Sequence, residues 1–110
     1  MREQELQNLI RVALSDYAIV FRANVGKVKM HDGRWFDTGL PKGFSDLCGF
    51  RKSDGKMFFF EVKTERGKLR DDQIKFLNAV SKYPVIAGVV RSVDDALKLM
   101  SGGDHNDRRT

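Results

Sequence analysis

Three charged side chains surround an apolar run in the middle of the chain, and their types are those that metal-dependent phosphodiester cleavage uses. Asp46 lies in the segment 43–47, GFSDL, and Glu61 and Lys63 follow in the segment 60–63, FEVK. Carboxylate oxygens are preferred ligands of Mg²⁺, which usually keeps waters and substrate phosphates as its other ligands. A bound cation lowers the pKa of a coordinated water, and a lysine stabilises developing negative charge. The residue types therefore predict a hydrolytic metal site.

A β-hairpin is predicted around Asp54-Gly55, because Asp-Gly between two strand-like runs is a strong turn signal. The two runs are 47–51 and 57–63. A loop of two residues, or of four residues at 53–56, gives one and the same pairing of the strands. A three-residue loop would move one strand's side chains to the other face and break the site.

The predicted pairing brings the three charged residues together on one face. Residues two apart along a strand share a face, so Glu61 and Lys63 point the same way. Asp46 then pairs with Lys63 and is diagonal to Glu61, with backbone positions roughly 7 to 8 Å apart. Two carboxylates can close around one cation at this distance, with the Val62 carbonyl as a further candidate ligand. The competing interpretation is an ordinary hairpin with an Asp46–Lys63 ion pair and Glu61 in solvent.

The strand that carries Glu61 and Lys63 is expected to be covered on both faces. The run 57–60, MFFF, supplies large apolar side chains to each face. Charges half-buried beside aromatic rings are costly unless they are paired or bind a metal. This context favours the metal site over the ordinary hairpin.

Two further polar residues are candidate members of the site. In a first helix predicted at 3–16, Glu3 lies on the apolar side, whereas Glu5 points to solvent. Glu3 could join the metal site or could act only on the helix dipole. Gln73, early in a helix predicted at 70–82, could hydrogen-bond a catalytic water or phosphate. A solvated position on the helix surface is the alternative for Gln73.

The order of elements predicts an α/β fold of the α+β type, with a mixed central sheet and helices packed against it. The predicted elements are a helix at 3–16, a strand at 18–25, a weaker strand at 27–30, an irregular loop or short hairpin at 31–43, the two hairpin strands, a helix at 70–82, a strand at 85–90 and a helix at 93–100. The polar segment 101–110 is predicted to be a disordered tail.

Composition and charge narrow the class of protein. With 110 residues, 41% hydrophobic and 32% charged, the chain is expected to form one domain, at 1–100. A net charge of +5 favours a polyanionic partner. The lack of a long apolar run and the polar start predict an intracellular protein that does not enter a membrane. The single cysteine, Cys48, is expected to be a small buried hydrophobe, and two distant histidines disfavour a zinc site.

The chain resembles the virus-type replication-repair nuclease (VRR-NUC) domain, a branch of the PD-(D/E)xK nucleases related to Holliday-junction resolvases. The resemblance covers nearly the whole chain and rests on the order and spacing of five short motifs. They are Glu3 with Leu6-Gln7, Arg22-x-Asn24-x-Gly26, the segments 43–47 and 60–63, and Gln73-x-x-Phe76-Leu77. The proline of the wider PD motif is absent, and Ser45 stands in its place, which removes no ligand.

The resemblance implies a restriction-endonuclease-like core and an endonuclease that depends on Mg²⁺ or Mn²⁺. It implies that Asp46 and Glu61 are metal ligands, that Lys63 is the catalytic lysine, and that Glu3 and Gln73 support them. Small domains of this kind resemble phage or prophage products that act as homodimers on branched DNA, such as Holliday junctions or flaps, during replication, recombination or repair.

Basic residues flank the proposed site in loops and at a helix start, where they could contact backbone phosphates. They are Lys27, Lys29, Arg34, Lys42, Arg66, Lys68 and Arg70, and the family motifs add Arg22, Asn24 and Ser45 as candidates for DNA contact. Their spread suggests recognition of DNA shape, since no helix carries a compact set of base-reading side chains. Trp35 or Phe36 could stack on an unpaired base. A buried anchor for the loop, or a dimer contact, is the alternative for this aromatic pair.

Two other functions compete with the nuclease. A catalytically silent nucleic-acid-binding module would keep the same fold, but the intact set of Asp46, Glu61 and Lys63 favours an enzyme. A restriction-type nuclease is disfavoured because 110 residues leave no visible specificity domain.

Overall fold

The computed structural model describes residues 1–102, which form helices and strands in the predicted order. The elements are α1 (Glu3–Leu14), β1 (Ala18–Arg22), β2 (Lys27–Lys29), β3 (Trp35–Asp37), β4 (Leu47–Arg51), β5 (Met57–Val62), α2 (Asp71–Val80), β6 (Ile86–Val90) and α3 (Val93–Gly102). Ser101 and Gly102, predicted to belong to the tail, end α3 instead. The rest of the predicted tail, 103–110, lies outside the described residues. No helix within residues 1–102 is long and apolar enough to cross a membrane.

Four strands form a central mixed sheet in the order β1-β4-β5-β6. Strand β4 pairs antiparallel with both β1 and β5, whereas β6 runs parallel to β5 and is reached through α2. Strands β2 and β3 pair with each other in a separate antiparallel hairpin. The predicted fold, a mixed sheet flanked by helices and compatible with a restriction-endonuclease-like core, is confirmed.

One face of the sheet holds the hydrophobic core. Phe58, Phe60 and Val62 alternate along β5 and are fully buried. They form one cluster with apolar side chains of α1 and α3, among them Ile10 and Met100. Burial of large apolar side chains is the main favourable term in folding, so this cluster fixes β5 against the two helices.

The opposite face of β5 is covered by α2. Phe59 packs edge-on against Phe76 of α2 and against Phe44, with ring centroids 5.5 and 5.9 Å apart. Glu61 and Lys63 follow on the same face by strand alternation. The start of α2 therefore lies over the part of the sheet where the charged residues were predicted.

The β4–β5 pairing differs from the predicted one by two positions. Leu47 pairs with Phe60, and continuing this register by one residue places Asp46 opposite Glu61. The predicted pairing of Asp46 with Lys63 was therefore wrong. The shift is an even number of residues, so all three charged residues still lie on one face.

The physical reason for this shift is the turn that joins β4 to β5. The loop contains four residues, 52–55, and its closing bond runs from the Gly55 amide to the Arg51 carbonyl at 2.7 Å, with Gly55 at φ +75°. The Asp54 carboxylate accepts bonds from the Arg51 guanidinium at 2.6 Å and from the Lys56 amide at 3.0 Å. Asp54 thus stabilises a longer turn than the two-residue Asp-Gly type. The even loop length is confirmed, but its position is not.

Candidate active site

Asp46 and Glu61 form a close pair of carboxyl groups at one end of the sheet. Asp46 Oδ2 accepts a hydrogen bond from the Val62 amide at 2.9 Å. Glu61 is only 1% exposed, and Asp46 is half-buried. No ion pair joins Asp46 to Lys63 within residues 1–102, and Glu61 does not reach solvent. The competing interpretation, an ordinary hairpin, therefore does not describe these residues.

The ionisation of Glu61 is strongly suppressed. Burial raises the pKa of Glu61 from 4.5 to about 9, with further contributions from its hydrogen bond to Asp46 and from the Asp46 charge. The charge of Lys63 opposes this shift, and the charge of Glu3 adds to it. A hydrogen bond between two carboxyl groups requires a proton on one of them, so the pair shares a proton when no cation is bound.

The oxygen atoms of this carboxyl pair are suitable ligands for a divalent cation. When both carboxyls are ionised, the buried Glu61 Oε1 has no hydrogen-bond partner. An unpaired buried oxygen costs free energy, and a cation with a preference for oxygen ligands removes that cost. No three histidine, cysteine or acidic side chains converge anywhere within residues 1–102. The described side chains therefore offer two carboxylates and leave the other coordination positions to a backbone carbonyl, water and phosphate.

Gln73 holds Glu61 through a side chain that is fixed at both ends. Its Oε1 accepts a bond from the Arg70 amide at 2.9 Å, just before the first turn of α2. Its Nε2 donates to Glu61 Oε2 at 3.0 Å, and the side chain is 5% exposed. Because the backbone amide takes the oxygen of Gln73, the NH₂ group must face the carboxylate. The alternative of a solvated surface glutamine is wrong.

Gly43 permits the close approach between α2 and the segment that leads to Asp46. It has φ +88°, and a Cβ added there would overlap the Asp72 carbonyl oxygen. Asp72 directly precedes Gln73 in α2. The contact between Gly43 and Asp72 therefore sets the distance between the segment that contains Asp46 and the start of α2. The glycine of the GFSDL motif thus has a positional role that its spacing alone did not reveal.

Lys63 lies one residue beyond β5 and is 7% exposed. Its amide donates to the Val90 carbonyl at 3.1 Å, which extends the parallel β5–β6 pairing by one step. The following turn folds back, with the Gly67 amide donating to the Thr64 carbonyl at 3.0 Å. A Cβ added at Gly67 would lie 3.4 Å from the Lys63 stem, so this turn encloses the lysine.

Arg91 secures the turn that follows Lys63, and the sequence reasoning missed it. Its Nη1 donates to the carbonyls of Thr64 and Gly67, each at 2.7 Å, and more weakly to Glu65 at 3.4 Å. The signal that could have found it is the parallel pairing of β5 with β6. In a parallel pair, the residues that follow both strands emerge at the same edge of the sheet, so Arg91 lies beside Lys63.

Glu3 lies close enough to the carboxylate pair for its charge to act on Glu61. It is half-buried at the start of α1, whereas Glu5 is exposed and accepts a bond from the Arg2 amide at 3.1 Å. The predicted difference between the two glutamates is confirmed. The charge of Glu3 adds to the raised pKa of Glu61, and no group of three acidic side chains that could hold a metal forms within the described residues.

The candidate DNA-contacting residues are exposed, with one exception. The exposed candidates are Arg22, Asn24, Lys27, Lys29, Arg34, Lys42, Arg66, Lys68 and Arg70. Ser45 is fully buried, and its Oγ has no hydrogen-bond partner. Strand alternation turns it away from the face of Asp46. The structure therefore does not support direct DNA contact by Ser45.

Comparison with known protein families agrees with the site. The model of the VRR-NUC domain matches residues 3–94 of the 110-residue chain. A search of curated protein sequences finds no significant match. The matched segment contains the carboxylate pair, the lysine and the residues that position them. The chain therefore belongs to the VRR-NUC domain family, which implies a nuclease-type function in replication or repair.

Proposed function

We propose that the protein is an endonuclease that depends on Mg²⁺ or Mn²⁺ and hydrolyses phosphodiester bonds in branched DNA. The observation that carries this proposal is the buried Asp46–Glu61 pair, in which Glu61 Oε1 lacks a hydrogen-bond partner once both carboxyls are ionised. A strongly raised carboxyl pKa beside a second carboxyl and a lysine is characteristic of sites that do chemistry. Packing alone would not favour a buried charge of this kind.

Each residue has a role that follows from its position. Asp46 and Glu61 hold the cation, with the Val62 carbonyl as a further ligand. A bound cation would polarise the scissile phosphate and lower the pKa of the attacking water. The Lys63 ammonium stabilises the negative charge that develops on the phosphate. The Gln73 amide orients Glu61, and its burial keeps that orientation fixed.

The surface around the site supports branched DNA as the substrate. Exposed basic side chains lie close in sequence to the site residues, including Lys42 before Asp46 and Arg66 and Lys68 after Lys63. Contacts spread in this way bind backbone phosphates and follow the shape of the nucleic acid. None of the three helices within residues 1–102 presents a group of side chains suited to reading a base sequence.

A row of exposed apolar side chains supports the homodimer. Ile19 pairs with Phe50, and Phe50 pairs with Met57, so the three lie side by side across β1, β4 and β5. They are 39%, 40% and 37% exposed and lie on the face that α2 only partly covers. Contiguous exposed apolar patches commonly mark protein interfaces. A monomer mass by light scattering, with and without DNA, would contradict the dimer.

The test is a cleavage assay with labelled four-way junction, flap and linear duplex DNA in Mg²⁺, Mn²⁺ or chelator. We expect cleavage of branched DNA only with a metal, and loss of cleavage in Asp46→Asn and Lys63→Ala. Matched controls are Asp94→Asn and Lys98→Ala, at exposed positions of α3. Cleavage that survives the chelator or both active-site substitutions would rule out the metal mechanism. Tight binding without cleavage of any DNA would instead indicate a silent binding module.

A further inference from the structure

The β2–β3 hairpin begins and ends beside Asp46. The chain leaves the central sheet at Ala23, whose amide donates to the Asp46 carbonyl at 2.8 Å. Residues 24–45 form one excursion that returns to Asp46. The base of the hairpin is closed by a bond from the Thr38 amide to the Gly26 carbonyl at 2.9 Å. The hairpin is therefore attached at both ends to the strand that carries a proposed metal ligand.

The hairpin presents an exposed aromatic ring beside two lysines and one aspartate. Its cross-strand pairs are Lys27 with Asp37, Val28 with Phe36, and Lys29 with Trp35. Alternation places Trp35, Lys29, Lys27 and Asp37 on one face, with Trp35 directly opposite Lys29 and Asp37 opposite Lys27. All six paired residues are exposed, and Trp35 is 64% exposed. The alternative of a buried anchor for this loop is excluded for Trp35.

A flat exposed indole beside lysines suits an unpaired nucleotide. Bases of single strands stack on aromatic side chains, and nearby cations bind the adjoining phosphates. The bases of an intact duplex are stacked on each other and do not offer a free face. Neither Lys27 nor Lys29 forms an ion pair with another of the described residues. Both charges are thus available to phosphates.

The length of the hairpin limits how far Trp35 lies from the proposed metal site. Lys29 follows Ala23 by six residues, so its Cα lies at most about 20 Å from that of Ala23. Trp35 is opposite Lys29, and Ala23 bonds to Asp46. The two cross-strand steps add about 5 Å each, so the Trp35 Cα lies at most about 30 Å from that of Asp46, which at 3.4 Å per base step is roughly nine nucleotides. A nucleotide stacked on Trp35 would lie within about that distance of the cleaved phosphate.

We propose that Trp35, flanked by Lys27 and Lys29, stacks on an unpaired nucleotide of the DNA substrate and so selects DNA with single-stranded character next to the cleavage site. The selection of the cleavage position rests on the proposed nuclease function. The binding step does not rest on it, because stacking needs no metal and no hydrolysis.

The experiment uses the intrinsic fluorescence of Trp35, the only tryptophan in the chain. The full chain is titrated in chelator with a twelve-nucleotide oligothymidylate and with a blunt duplex of equal length. We expect the single strand, but not the duplex, to quench the indole as it binds. Fluorescence anisotropy of labelled oligothymidylate should show about tenfold weaker binding by Trp35→Ala, in keeping with the cost of losing one stacked base. Trp35→Phe should recover most of this loss.

Tyr83→Ala is the matched control, since Tyr83 is 67% exposed and lies after α2 rather than in the hairpin. Its affinity for the oligonucleotide should equal that of the wild type. Unchanged indole fluorescence at saturating single strand, or equal affinity of Trp35→Ala and wild type, would overturn the proposal. So would a change from dimer to monomer in Trp35→Ala with single-strand affinity unchanged, which would assign Trp35 to a contact between copies. Indole quenching by the single strand without cleavage of any DNA would support the stacking inference and reject the nuclease.

Discussion

Glu61 places a carboxyl group where water does not reach, and its protonation is linked to folding. The pKa is 4.5 for an ordinary glutamate and about 9 for Glu61 in the folded protein. Between these values the folded protein retains a proton that the unfolded chain releases. The free energy of unfolding therefore falls as pH rises from about 4.5 to about 9, in the absence of a cation. Below this range both states are protonated, and above it both are ionised.

The first prediction concerns Glu61→Gln, which keeps the shape of the protonated side chain and cannot ionise. In chelator, we expect the variant to have a higher Tm than the wild type at pH 8 by several degrees, since about 1 kcal/mol corresponds to roughly 4 to 8 °C for a domain of this size. At pH 4.5 the difference should largely disappear. Thermal unfolding followed by circular dichroism across this pH range measures both effects. Glu5→Gln, at an exposed position, is the control, and an equal pH dependence in wild type and Glu61→Gln would contradict the linkage.

The second prediction concerns addition and removal of the cation. A ligand that binds only the folded state raises the free energy of unfolding by about 2.7 kcal/mol when its concentration is 100 times Kd. Mn²⁺ or Mg²⁺ should therefore raise the Tm of the wild type at pH 8, and chelator should reverse the effect. Asp46→Asn and Glu61→Gln should show little of this stabilisation. A metal-induced shift of equal size in Asp46→Asn would place the cation elsewhere.

At the scale of the elements, the periodicity of α2 predicts the helix correctly but does not predict which of its side chains are buried. The apolar spacing correctly predicted a helix near 70–82, but Ile74 is 41% exposed while Gln73 is 5% exposed. A helical pattern reports hydrophobicity and contains no information on a hydrogen bond to a residue of another element. The bond from Gln73 to Glu61 could be found only once α2 was placed on the sheet.

The third prediction concerns the turn that Arg91 holds after β5. Arg91→Ala removes the guanidinium bonds to the Thr64 and Gly67 carbonyls and should loosen the turn that encloses Lys63. We expect kcat on branched DNA to fall about tenfold or more with little change in KM, because small displacements of a catalytic group are costly. Arg91→Lys should restore only part of the rate, since an ammonium lacks the planar fork of Arg.

Hydrogen exchange provides an independent measure of the Arg91 variant. The amide of Gly67, which bonds to Thr64, should exchange faster in Arg91→Ala than in the wild type. Arg11→Ala, on the exposed side of α1, is the control for loss of an arginine. If kcat were unchanged while Gly67 exchanged faster, Arg91 would have a purely structural role.

At the scale of the whole molecule, the sequence predicted local features well and relations between distant segments less well. Asp46, Glu61 and Lys63 were placed on one face because strand alternation depends only on parity. The pairing itself was wrong by two residues because the four-residue turn lies at 52–55 and not at 53–56, stabilised by a bond between Asp54 and Arg51 that spacing does not reveal. Arg91 was missed because its role depends on the parallel pairing of β6 with β5, which joins segments far apart in the chain.

The last prediction concerns the charge of the whole molecule. The net charge of +5 draws the protein to DNA, but only lysines that touch phosphates release counterions. Lys42 and Lys68 are exposed and lie close in sequence to Asp46 and Lys63. If each contacts one phosphate, the double variant Lys42→Ala/Lys68→Ala should reduce the slope of log affinity against log salt by about 1.8. The double variant should lose the same amount of affinity for DNA of any sequence. The control is Lys98→Ala on α3, which removes a charge and should leave the slope unchanged. An equal slope for wild type and the double variant would place the phosphate contacts on another surface.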